Sequence, residues 1–166
     1  MKKSIVAISI MVLTAAAFQT ASAQATATQN VTLAVNSVYK IAVSGNPGAL
    51  TIATDTAGVN ALTSVSDNST NYSITQNFAN TVKITANMDA VLAAGYTLRL
   101  GLASVKGTSA GSVDISNATS GSAVNVVTAI AIGADANQTI TYTFSANASA
   151  GTLASTTKII TRTLTN

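Results

Sequence analysis

The chain of 166 residues contains no cysteine, no histidine, no tryptophan and no glutamate. Without cysteine no disulfide can staple the core. Without histidine and cysteine, zinc, haem and iron–sulfur sites lose their usual ligands. Catalysis by a histidine base or a cysteine thiolate is closed as well. Charged residues make up only 8% and aromatics 4%, whereas 48% are hydrophobic. Serine and threonine abound, but a hydroxyl nucleophile needs a base, and with histidine absent only a lysine is left for that role. The expectation is a protein that is not an enzyme and carries no cofactor.

What is present begins with an export signature. Lys2 and Lys3 form a short basic start, Ile5 to Phe18 is mostly apolar, and Ala21-Ser22-Ala23 supplies small residues at the −3 and −1 positions of a cleavage site. The apolar run is shorter than the about 20 residues a spanning helix needs. The expectation is a cleaved signal peptide over residues 1–23, a secreted or cell-surface location in a bacterium, and a single domain over residues 24–166 with no transmembrane segment. Losing Lys2 and Lys3 leaves six basic residues (Lys40, Lys83, Arg99, Lys106, Lys158, Arg162) against five aspartates. Six scattered cations make no nucleic-acid groove, which needs clustered Lys and Arg with aromatic platforms. The expected partners are further copies of the chain or other surface proteins.

Residues 24–166 are rich in Thr, Ser, Asn, Ala and Val, with period-two alternation in place of helical stripes. Strands are predicted over Val38–Val43, Leu50–Ile52, Tyr72–Gln76, Val82–Ala86, Tyr96–Leu102, Val124–Ile132, Ile140–Phe144 and Thr157–Thr165. The Val124–Ile132 run is apolar on both faces and reads as a central strand. Asn87 to Gly95 has an Asn/Asp start and a glycine stop, which predicts one or two helical turns near residues 88–94. Together these features predict an all-β, immunoglobulin-like β-sandwich of roughly nine to eleven strands.

The candidate chemical groups have plain readings. Asp55, Asp67, Asp89, Asp114 and Asp135 lie beside small or polar residues and read as turn residues. Asp67-Asn68 and Asp135-Ala136-Asn137 offer hard oxygen donors for calcium, but neither has a known calcium-loop spacing. Lys83 and Lys158 read as solvated strand-face lysines that guard a sheet edge against mispairing. Tyr39, Tyr72, Tyr96 and Tyr142 occupy alternating strand positions and read as core residues with a hydrogen-bonded hydroxyl.

The segment Gln24–Asn36 stands apart. It alternates without a break and carries no charge. Extended, it spans about 40 Å. A terminal segment of this kind is tied down by pairing in its own sheet or by adding to the sheet of a neighbour. In the second arrangement Val31, Leu33 and Val35 are the side chains that fill the groove of the neighbour. With its Thr28-Gln29-Asn30-Val31-Thr32-Leu33-Ala34-Val35 segment and its terminal strand Ile159-Ile160-Thr161-Arg162-Thr163-Leu164-Thr165, the chain resembles bacterial pilins and spore-coat-type surface subunits. That resemblance implies an incomplete immunoglobulin-like sandwich completed by the N-terminal strand of the next subunit. The chain departs from chaperone–usher pilins in having no disulfide and no tyrosine near its C-terminus. The expected function is an exported structural subunit of a surface fibre, pilus or coat. The alternative is a monomeric extracellular module that binds a glycan or a surface protein.

Overall fold

The computed structural model describes residues 25–166. The predicted signal peptide lies outside the described residues. Residues 25–34 are exposed throughout and carry no helix or strand. Val35–Asn166 form a unit of their own. Its strands are β1 (Tyr39–Val43), β2 (Val65–Gln76), β3 (Val82–Met88), β4 (Tyr96–Leu102), β5 (Thr108–Ser109), β6 (Val113–Asp114), β7 (Val124–Ile130), β8 (Gly133–Ala146) and β9 (Ile160–Thr165). They build two antiparallel sheets, one in the order β1-β2-β8-β4-β6 and the other in the order β5-β7-β3-β9. Among the described residues no helix is long and apolar enough to cross a membrane.

The core forms where the inward faces of the two sheets meet. Tyr72, Ile74, Leu98, Leu100, Leu102, Ile140 and Tyr142 come from the first sheet. Val82, Ile84, Ala86, Met88, Val126, Val127 and Ile130 come from the second. In β3 and β4 every second side chain is buried, as the alternation requires. Strand β7 is an inner strand between β5 and β3. Its alternation breaks, since the neighbours Val126 and Val127 are both buried. The cause is a pair of register shifts against β3, together with a left-handed Ala129 at φ 53°.

Two expectations need correction. No helix forms near residues 88–94. Leu92 N, which a helix from Met88 would bond to Met88 O, donates instead to Ser116 O at 2.9 Å, and Asp89 N extends the pairing with the β9 side by donating to Ile159 O at 3.0 Å. A single 3-10 turn occurs instead at Ala148–Ala150. Leu50–Ile52 is not a strand; Leu50 rests half-buried on the core without joining a ladder. Residues 25–36 have no strand pairing among the described residues.

Asn77 fixes the entry into β1. Its Nδ2 donates to Asn36 O at 2.9 Å and its Oδ1 accepts from Val38 N at 2.6 Å. The loop between β4 and β5 lies close on β7. A Cβ on Gly107 would meet Val127 Cγ1 at 2.8 Å and Thr128 O at 2.9 Å, so only glycine fits there.

Candidate functional site

Val31, Leu33 and Val35 are 70%, 86% and 87% exposed. An apolar side chain in water forgoes about 1.5–3 kcal/mol of burial free energy. Three in alternation on an uncharged segment form a surface suited to a partner. Both sheets of the sandwich end in open edges, β1 and β6 in one and β5 and β9 in the other. Edge strand β9 turns Ile160, Arg162 and Leu164 inward and Thr161 and Thr163 outward.

Arg162 is unusual in that position. Its guanidinium carbon lies 5.6 Å from the ring centroid of Tyr142, a residue of the opposite sheet, and Nη2 donates to Tyr142 Oη. The buried Nε has no hydrogen-bond partner among the described residues. From sequence, Arg162 counted only among six scattered cations; its inward position follows from the same alternation that turns Ile160 and Leu164 inward.

Sequence reasoning missed Asp135. Read as a turn residue, it is 2% exposed and lies in β8. Its Oδ2 accepts from Ser104 Oγ at 2.9 Å, Val105 N at 3.0 Å and Lys106 N at 3.2 Å. Ser104 Oγ in turn accepts from Gly107 N at 3.0 Å. Tyr72 Oη donates to Ala103 O at 2.5 Å, and burial raises its phenol above the ordinary value. These contacts fasten the loop between β4 and β5. Local sequence held no sign of them, because the donors lie about thirty positions away.

The other carboxylates serve local structure. Partial burial works against the charge of Asp114. Hydrogen bonds from Ser116 Oγ at 2.6 Å and Ser116 N at 2.8 Å, with Arg99 nearby, outweigh it and hold the carboxyl below its ordinary value of 3.8. Asp67 is held low chiefly by Ser69 Oγ, with the backbone N–H groups of Ser69 and Gly48 adding to it. A carboxyl whose folded pKa is depressed stabilises the fold above its unfolded pKa, and that contribution disappears as pH falls through the folded value. D114N is therefore expected to melt a few degrees below the wild type at neutral pH, with the gap closing below pH 3.8. The effect stays under about 1 kcal/mol, because solvent screens the group. Thermal melts at pH 7 and pH 2.5 check this.

Among the described residues no group of three or more acidic, histidine or cysteine side chains gathers where a metal ion could be held. Asp67-Asn68 lies in β2, and Asp135 is enclosed by its own donors. Tyr72, Tyr96 and Tyr142 are buried and Tyr39 is half-buried against Phe78, so none lies flat on the surface as a sugar platform. Lys83 faces Thr165 across the β3–β9 ladder, and Lys158 Nζ lies 3.5 Å from Val91 O. The spacing Ser-x-x-Lys occurs at Ser37–Lys40 and Ser155–Lys158, but neither pair lies on a helix.

No protein-family model, no curated protein and no solved structure matches the chain.

Proposed function

We propose that the chain is an exported structural subunit of a bacterial surface fibre, pilus or coat, which assembles when residues 25–36 of one copy add as a β-strand to another. The observation that carries this reading is the exposure of Val31, Leu33 and Val35 on a segment that has no strand pairing among the described residues. Each copy then holds one donor segment and one acceptor. A head-to-tail contact of that kind grows into an open filament unless its rotation closes a ring. Main-chain hydrogen bonds supply the affinity, and alternate side chains supply the register. Low charge suits the same role, since little like-charge repulsion opposes self-association.

Light scattering on the chain from Gln24 to Asn166 tests the reading. Multimers or rods are expected, and removal of residues 25–36 is expected to leave a cooperatively folded monomer. A wild-type chain that stays monomeric at all concentrations removes the proposal.

A further inference from the structure

The segment between the 3-10 turn and β9 has its own architecture. It is pinned at both ends. At one end Gly95 sits at φ +90°, where a Cβ would lie 2.6 Å from Ala150 Cβ, and Tyr96 Oη donates to Ala150 O at 3.1 Å. At the other end Asp89 N donates to Ile159 O and Asp89 Oδ1 accepts from Ile159 N, both at 3.0 Å. Between the pins, no backbone hydrogen bond joins residues 152–158 to any other described residue. Buried backbone groups are nearly always paired, so a strap of this length without partners persists only at the surface. Behind it lies a groove of about 500 Å³, lined by Val91, Leu92, Ala93, Tyr96, Leu153 and Ala154, with Lys158 near one end. That volume is within the range of about 300–1,000 Å³ that takes a whole ligand. Val91 and Leu153 are 49% and 45% exposed there.

Resting on the strand-addition reading above, we infer that this groove is the acceptor, and that its occupant is residues 28–35 of a second copy of the chain. Three features of the occupant match it. The segment is uncharged, so it brings no ion of its own into the groove. Its apolar side chains recur at every second residue, about 7 Å apart, and Val91, Leu92 and Leu153 offer apolar contacts in the groove. Its backbone lacks ladder partners, as does that of residues 152–158, so pairing the two satisfies both at once. Leu33 is the central plug, set over Tyr96 and Leu92, with Val31 and Val35 on either side. The strap leads directly into β9, and the groove lies between it and residues 91–96, which follow the partner strand β3.

The absence of native cysteine makes thiol cross-linking a clean test. L33C protein is mixed with L153C protein, allowed to assemble, and treated with a short thiol-to-thiol cross-linker. A further mixture pairs L33C with V43C, on the edge strand β1 of the other sheet. The expected result is a cross-linked pair in the L33C/L153C mixture, well above the level in either variant alone, and none with V43C. Multimers that link L33C to V43C and not to L153C overturn the groove while leaving strand addition standing. Multimers that link to neither also overturn the groove. An L33C/L153C double variant that links within one chain at high dilution shows the segment seated on its own sandwich and overturns the inference. A wild-type chain that forms no multimers removes the groove assignment together with the reading it rests on.

Discussion

L33D is expected to abolish assembly at concentrations where the wild type forms multimers, without lowering the melting temperature of the monomer. Leu33 is 86% exposed, so the isolated fold does not depend on it. In a strand-added neighbour its side chain would be enclosed. The substitution removes about 1.5–3 kcal/mol of apolar burial. It also takes a carboxylate out of water into a groove lined mainly by apolar side chains, a cost of several kcal/mol that Lys158, the one cation of the lining, offsets only in part. A combined loss of about 4 kcal/mol per contact weakens each junction by roughly a thousandfold. V31D is expected to act in the same direction, and L33M, which preserves volume and apolarity, is expected to assemble normally. Sedimentation velocity across a concentration series separates these outcomes. L33D that assembles at the wild-type concentration shows that this side chain is not a plug.

The second large effect is on the fold itself. D135A is expected to destabilise the chain by about 3 kcal/mol, or roughly 10 °C in melting temperature. The loss does not come from the cavity alone. Oδ2 is the shared acceptor for Ser104 Oγ, Val105 N and Lys106 N, and removing it leaves a hydroxyl and two amides without partners. Each unsatisfied buried donor costs about 1–3 kcal/mol, less where the loop admits water. D135N retains an acceptor oxygen and is expected to lose about half as much. Its new amide nitrogen would sit where the buried Oδ1 already lacks a partner. Urea denaturation of the three proteins measures the order. A D135A midpoint equal to the wild type would show that the loop is held by the contact of Gly107 with β7 instead.

Much of the architecture could be read from period-two alternation. Tyr96–Leu102 is a strand with the predicted bounds, and β3 and β9 lie within or beyond the predicted runs. Ile159, 63% exposed, points outward and Ile160 and Leu164 point inward, as period-two alternation requires. Leu50-Thr51-Ile52 shows the limit of that signal. Three alternating residues cannot determine whether a segment finds a ladder or only rests one side chain on the core. The run Asn87–Gly95 shows another limit. Its helix signals are local, whereas Ser116 takes the Leu92 N–H group from a distant position.

The composition alone determined that the chain builds strands without disulfides and without histidine or cysteine chemistry. Alternation alone determined the faces of β3 and β4 and marked residues 24–36 as an uncharged segment with an apolar stripe. Both are properties of neighbouring residues, so a one-dimensional reading reaches them. The tertiary structure decided which strands share a sheet, that Asp135 is enclosed by donors from residues 104–106, and that residues 152–158 bridge a groove without backbone partners. These depend on contacts between segments tens of residues apart. Their free energy appears only after the chain has closed those loops, and no local pattern records it.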